Sequence, residues 1–445
     1  MEITTKYRKG WISLTAAVLA LGSALSVNGQ TVYPGDTAIF NSTGVTNSHS
    51  FIDASALSTT GTDICSKINA ALLNLANSTR YPLYNDGGVI DARGVAVGTS
   101  RPCSSSPWSG TPPSTGWPSA TILLPAGVIA ITTGWALPSG TRLIGEGAGT
   151  SGASLTTIQA QSGFVSSNWM IQMGSTSFCP LPSICYGVSI QDLTLDGNSV
   201  AANGILNNDA ASFSYVNRVN LYRLSGTGLQ VSGNASYSGP YSEINFDTGS
   251  IAPGLSTLCA SIQRPTKGVH GLRCVSTSSV PVAAVKLDAG NNSLEDINVE
   301  GFGDGVLVGS NSSAQGDVLV NVSKSGAGNV VHLAKITGNT VSDISIVAAS
   351  NSGNATFTIE DDVTGTSISD ASVAIYVLGE SQPIGSSFTS HTRFTTSSSQ
   401  PAWGVGPSSP MGSCMNNGAI FSCTGPTTCG VHYLYVCKNG SWVGL

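Results

Sequence analysis

Charge is what this chain lacks most. Only 9% of its 445 residues are charged, against about 25% in an average soluble domain. The formal net charge is −6 and there is no basic patch, so nucleic acid is not an expected partner. Long apolar runs are missing beyond the N-terminus, and no later segment reads as a membrane span. There is no nucleophile elbow, phosphate-binding loop or metal-binding histidine pair. Helix formers are scarce, whereas Gly (53 residues), Ser, Thr and Asn abound, a composition of strands and turns. Disorder is excluded all the same, because 40% of the chain is apolar and the apolar residues are periodic.

What is present is a recurring phrase: polar, polar, apolar, polar, apolar. It occurs as Gln191-Asp192-Leu193-Thr194-Leu195, Asn217-Arg218-Val219-Asn220-Leu221 and Ser242-Glu243-Ile244-Asn245-Phe246. It returns as Glu295-Asp296-Ile297-Asn298-Val299 and Ser342-Asp343-Ile344-Ser345-Ile346. Leu193 to Val219 is 26 residues and Val219 to Ile244 is 25; Ile244 to Ile297 is 53 and Ile297 to Ile344 is 47, each about two steps. A fixed period of this size marks one supersecondary unit stacked many times. Alternation of period two marks strands. A second strand family interleaves with the first: Gly204-Ile205-Leu206, Gly228-Leu229-Gln230-Val231, Gly305-Val306-Leu307-Val308 and Val330-Val331-His332-Leu333. Residues 247–283 break the rhythm and read as a loop or an imperfect coil.

The ends differ from the middle. Lys6, Arg8 and Lys9 precede an apolar run from Trp11 to Val27, and Gln30 is the expected mature start. This is the layout of a secretory signal over 1–29, which places the protein in the secreted, periplasmic or cell-surface compartment. Residues 30–60 read as irregular. A helix over 63–77, capped by Thr62 or Asp63 and apolar at Ile64, Ile68, Leu72 and Leu75, is expected to plug the open end of the stack. Residues 381–412 are a Ser/Thr/Pro-rich linker, and 413–445 a cysteine-rich β cap with a hairpin at Asn439-Gly440. Ten cysteines in an exported chain point to disulfides. Cys65 is placed near Cys103, Cys179 near Cys185, and Cys259 near Cys274 as the staple of an insertion. Cys414, Cys423, Cys429 and Cys437 are left to pair among themselves.

The N-terminal third carries a family resemblance. After the helix come Asp86-Gly87-Gly88-Val89-Ile90-Asp91-Ala92-Arg93-Gly94, Ile122-Leu123-Leu124-Pro125-Ala126-Gly127-Val128 and Leu137-Pro138-Ser139-Gly140-Thr141-Arg142-Leu143-Ile144-Gly145-Glu146-Gly147. This order resembles the opening of the pectate-lyase-like superfamily, in particular its rhamnogalacturonase/epimerase-type domain. The resemblance spans roughly residues 60–380. It implies an all-β fold: a single-stranded right-handed parallel β-helix over 61–380, opened by the capping helix. It also implies a polysaccharide partner, cleaved by hydrolysis or β-elimination, or merely bound. The polygalacturonase signatures do not carry over. Val269-His270-Gly271-Leu272 lacks the first glycine of Gly-His-Gly, Asp361-Asp362 falls in the wrong order, and Arg-Ile-Lys is absent.

The repeat itself suggests where chemistry sits. If the apolar members point inward, those between them form outward columns, with neighbouring rungs ~4.8 Å apart. The first column reads Asp192, Arg218, Glu243, Asp296 and Asp343. The second reads Thr194, Asn220, Asn245, Asn298 and Ser345; the third reads Asp196, Tyr222, Asp247, Glu300 and Val347. Asp192, Arg218 and Glu243 are the candidate catalytic residues. Asp196, Tyr222, Asn220, Asn245, Asp247, Asp296 and Glu300 are the candidate substrate-binding residues. Asp192 and Glu243, two rungs or ~9.6 Å apart, sit at the upper edge of an inverting glycosidase pair. Alternatively, the acids could hold Ca²⁺ against a uronate, with Arg218 as the base of an elimination. The bland reading is a ladder of alternating charge and hydrogen-bonding asparagines that only keeps the face soluble. His270 and His332 are weaker candidates. Trp108, Trp117 and Trp135 could stack on sugar rings or pack the cap.

Overall fold

A computed structural model describes residues 51–57, 63–76, 87–95, 100–113, 116–149, 155–179, 184–201, 203–250, 257–334, 341–342, 344–352, 357–361, 373–376, 403–406, 409–410, 420–423, 434–439 and 441–444. The expected signal and most of the expected linker lie outside these residues.

The apolar-polar alternation closes into coils. Long strands Ser189–Asp196, Tyr215–Tyr222, Tyr241–Asp247, Val269–Val280, Ser293–Phe302, Val318–Ser325 and Ile344–Ser352 stack in one sheet. Short strands, among them Asn203–Asn207, Thr227–Val231, Leu258–Ile262, Val285–Leu287, Val306–Val308 and Asn329–Leu333, stack in a second. Each long strand leads into a short one, and every pairing in both stacks is parallel. The register of the long strands runs Leu193, Val219, Ile244, Leu272, Ile297, Val322, Ala349. This is a parallel β-helix, and its crossovers take the right-handed sense general to parallel connections.

Each of the first six long strands bends at one residue. Asp192, Arg218, Glu243, Gly271, Asp296 and Asn321 all have left-handed backbone, with φ of 55°, 51°, 53°, 66°, 56° and 53°. The bend resets the alternation. Ile190 and Leu193 are both buried although three residues apart, as are Val216 and Val219, and Leu294 and Ile297. On the earlier rungs the two halves have separate partners: Ser189–Gln191 pairs with 142–144, and Thr194–Asp196 pairs with 157–159. A coil is therefore three straight runs around one apolar core. Each large aliphatic side chain buried there contributes ~1.5–3 kcal/mol.

The region read as a loop or an imperfect coil is a coil with a break in register between Val275 and Val280. Leu258–Ile262 and Val269–Val280 fill both sheets between residues 247 and 283. Its low apolar periodicity hid it, because Cys259 and Cys274 supply the inward positions. Both are fully buried and joined across the core, not around an insertion. Val318–Ser325 supplies a further rung between Ile297 and Ile344. The partner of Val318 is Ser345, so Ser345 and Val347 leave the columns in which the sequence set them, and Asp343 lies outside the described residues. Gly271, Arg273 and Val275 enter those columns instead, followed further on by Asn321, Ser323 and Ser325.

At the N-terminal end the helix spans Ile64–Ala76, with Asp63 Oδ1 accepting from Ser66 N at 2.7 Å. Its apolar face joins the core, and Gly88 makes room for it: a Cβ there would lie 2.8 Å from Leu75. Cys65–Cys103 ties the helix to strand Ser100–Cys103, inside a stretch that reads as loop in sequence. Phe51–Asp53 is likewise a strand, paired with Gly88–Asp91, rather than irregular chain. Trp108, Trp117 and Trp135 are buried, so they pack this end and offer no ring to a sugar. Cys179–Cys185 forms as expected. In the tail, Ile420–Cys423, Leu434–Lys438 and Ser441–Gly444 pair antiparallel. Cys423 and Cys437 are both disulfide-bonded, with partners among the four tail cysteines because the other six are committed.

Candidate functional site

The outward columns are laddered along the stack. At the corner, Arg218 grips Asp192 with both arms, Nε to Oδ1 at 2.5 Å and Nη2 to Oδ2 at 2.7 Å. That hydrogen bond, with the charge of Asp192 behind it, raises the Arg218 pKa, the opposite of what a base needs. Three rungs on, Asn321 Nδ2 donates to Asp296 at 2.6 Å. In the second column Asn245 Nδ2 donates to Asn220 at 2.5 Å, Arg273 Nη1 donates to Asn245 Oδ1 at 3.0 Å, and Asn298 donates to Ser323 at 3.0 Å.

The other sequence candidates divide by exposure. Asp196 is 5% exposed and its carboxylate is filled by Arg223, Gln159 Nε2 at 2.8 Å and the Asn198 N–H at 2.9 Å. Asn220 is buried as well. Tyr222 lies under the Arg223 guanidinium, 5.3 Å from its centroid. Asp247 accepts from Gly249 N at 2.7 Å, a turn contact. Glu243, Asp296 and Glu300 are exposed.

One coil departs from the ladder. Between Glu243 and Asp296 the corner position is Gly271, where an added Cβ would find its nearest neighbour 3.6 Å away. Two acids two rungs apart thus have no side chain between them, their backbones ~9.6 Å apart from the rung spacing. The same coil places His270 one residue before the gap and Arg273 two after it. His270 Nδ1 lies 3.2 Å from Glu295 Oε2, and Ser293 Oγ donates to Glu295 Oε1 at 2.8 Å. Gly271 and Arg273 were left out of the sequence columns because their stretch reads as a loop or an imperfect coil. The signal was available: His270-Gly271-Leu272-Arg273-Cys274 has the phrase of its neighbours with Gly in the corner place.

On the second sheet His332 pairs through Nδ1 with Asp304 at 3.0 Å. Burial would raise Asp304, but the bonds from His332 and Asn329 N hold its pKa below the ordinary value. Close by, Lys324 occupies the inward position that Leu195, Leu221, Phe246, Cys274 and Val299 hold on the other rungs. Burial lowers its pKa, and Nζ is satisfied by the carbonyls of Ser325 and Ala327. Among the described residues no three His, Cys, Asp or Glu side chains gather closely enough to hold a metal ion. No helix among them is long and apolar enough to cross a membrane.

No protein-family model matches the chain, and no curated protein does. Among solved structures it is similar to ORF18 of Geobacillus virus E2, at 13% identity and a TM-score of 0.37, over 75% of this chain and 63% of that one. It thus spans less than two thirds of the viral protein. It is also similar to the A-modules of two Azotobacter vinelandii mannuronan C-5 epimerases. For AlgE6 the identity is 14%, the TM-score 0.33 and the coverage 74% of this chain and 96% of that one. For AlgE4 the values are 15%, 0.29, 74% and 98%. At such scores the fold stands on the strand register alone.

Proposed function

We propose that the protein is an exported enzyme that hydrolyses an acidic polysaccharide lying across the long-strand corner. The gap at Gly271 carries this reading. From Asp192 to Asn321 every other corner position carries a side chain, and Asp192 is closed by Arg218. Within that run, Glu243 and Asp296 are the acids that flank an unfilled rung. Inverting hydrolysis needs a carboxylic acid to protonate the leaving oxygen and a carboxylate to activate water, ~6.5–9.5 Å apart. The rung spacing sets the backbones of Glu243 and Asp296 ~9.6 Å apart, just past the upper end of that window. Arg273 supplies a cation for the carboxylate of a uronic acid residue, and its planar fork suits that group. His270, oriented by Glu295, offers a second proton carrier beside the gap.

A second reading, binding without turnover, is favoured by the remaining columns. Their acids are engaged in ladders that would survive without any ligand. Assays on polygalacturonate, alginate and a neutral glucan separate the two. Hydrolysis predicts new reducing ends without unsaturated products, unaffected by chelator. Glu243→Gln and Asp296→Asn should each lower kcat by ~10²-fold or more, and Arg273→Ala should raise KM on the acidic polymers alone. Unsaturated products would replace hydrolysis by elimination. Binding with no product would leave the second reading.

A further inference from the structure

The opposite end of the first half-strand carries a feature that the acidic columns do not use. Three aromatic side chains stand exposed there on successive coils: Tyr186 at 46%, Phe213 at 72% and Tyr237 at 64%. Among the described residues these are the exposed aromatics, and all three belong to one corner. Backbone bonds set them side by side. Gly187 N donates to Ser212 O at 3.2 Å, and Gly239 N donates to Ser214 O at 2.6 Å.

The backbone makes their presence costly. This corner, like the first, turns through left-handed residues: Gly140, Gly187, Phe213, Tyr237, Asn291 and Gly316, with φ of 73°, 65°, 63°, 61°, 61° and 68°. Gly and Asn suit that conformation, while a bulky ring does not. Phe213 and Tyr237 therefore hold strained positions and bury little surface in return. Strain kept without a packing benefit points to a ligand.

Charge narrows its class. The next coil runs Arg264-Pro265-Thr266-Lys267 past Tyr237, whose N–H donates to Pro265 O at 2.7 Å. Lys267 Nζ reaches 5.1 Å from the Phe213 centroid. Arg264 and Lys267 are exposed, and Asp209, the acid of the neighbouring segments, is buried and accepts from Asn208 and Asn234. The exposed charge at this corner is thus cationic.

We propose that Tyr186, Phe213 and Tyr237 form a stacking platform for the rings of an anionic glycan chain, with Lys267 taking a ring carboxylate or sulfate. Sugar rings present C–H faces to aromatic rings, and a rung step of ~4.8 Å lets one chain run along consecutive coils. This rests on the reading that the ligand is a polysaccharide, but it concerns binding and needs no turnover.

The experiment measures affinity for polygalacturonate, alginate and a neutral glucan with the full chain. The variants are Phe213→Gly with Tyr237→Gly, and Lys267→Gln. Glycine is at home at both left-handed positions, so the double variant should keep its thermal midpoint while affinity for the anionic polymers falls about tenfold or more. Lys267→Gln should weaken binding to the anionic polymers and leave that to the neutral glucan unchanged. The proposal is overturned if the wild type binds none of the three polymers or if the double variant binds like the wild type. It is also overturned if the double variant instead converts a sedimenting dimer to monomer, which would make the rings a contact between copies. Ring-dependent binding without any product would support this proposal and remove hydrolysis. Turnover with ring-independent binding would do the reverse.

Discussion

Two corners of the same coil solve one backbone problem in different ways. Both turn through φ near +60°. The corner at Asp192 fills its positions with Asp, Arg, Glu, Gly, Asp and Asn, and rests on apolar residues such as Leu193 and Ile297. The corner at Phe213 mixes Gly and Asn with two bare rings, and rests on a buried polar ladder. Behind the rings, Ser214 Oγ accepts from Val188 N at 3.1 Å. Ser238 Oγ donates to Ala235 O at 2.6 Å. Thr266 N and Oγ1 donate to Asn292 Oδ1 at 2.9 Å, and Asn292 N donates to Asp317 Oδ1 at 2.8 Å. All five side chains are buried. A corner backed by oil holds its conformation by burial, whereas one backed by hydrogen bonds is fixed by direction and can hold a strained residue outside.

The sharpest way to break this contrast is to cut the polar ladder. Asn292→Leu strands the two Thr266 donors and removes the Nδ2 contact to Asp317 while the backbone bond remains, and should cost about 3 kcal/mol in urea unfolding. An equal-sized change on the surface of the other corner at a residue outside the left-handed bend, the exposed Asn298→Leu, should cost well under 1 kcal/mol.

The next test asks whether the aromatic corner tolerates side chains where there is room. At Gly140 an added Cβ would lie 2.2 Å from Ser119 Oγ, while at Gly187 its nearest neighbour is 3.8 Å away. Gly140→Ala should cost about 2–3 kcal/mol and Gly187→Ala about 1 kcal/mol, the left-handed strain alone. Equal costs would mean that space plays no part.

The ladder also titrates. Asp317 ends it with Oδ2 buried and without a hydrogen-bond partner, and burial pushes its pKa from 3.8 up to about 7. The folded state therefore keeps a proton that the unfolded state releases above pH 3.8. Its stabilising contribution is full below that pH and is lost as pH rises through about 7. Wild type should lose on the order of 2 kcal/mol relative to Asp317→Asn across that window, read as thermal midpoints against pH. The smallest effect belongs to the charged corner. A double-mutant cycle on Asp192 and Arg218 should give ~0.5 kcal/mol that fades in salt, since both are partly exposed.

The coils, the capping helix, three disulfides and the tail hairpin were legible in sequence because period and spacing encode them. The corner was not. Two half-strands joined by one left-handed residue keep the phrase of a single strand, since the reset of alternation at Asp192 leaves Leu193 and Leu195 still two apart. The coil at 258–280 read as a loop or an imperfect coil for the opposite reason, two of its inward places being held by cysteines. Arg218 therefore looked available until its pairing was seen, whereas Gly271, the residue that opens the rung, carried no side chain to notice. The rings at 186, 213 and 237 sit in turns, where pattern reading assigns polarity and stops.

The constancy of register has a consequence for how such a protein changes over generations. Because each coil contacts only the coils above and below it, gain or loss of one 25-residue repeat between Val219 and Ile244 would lengthen or shorten the outer track by a single step while leaving every other step intact. The molecule is a ruler whose graduations can be added one at a time.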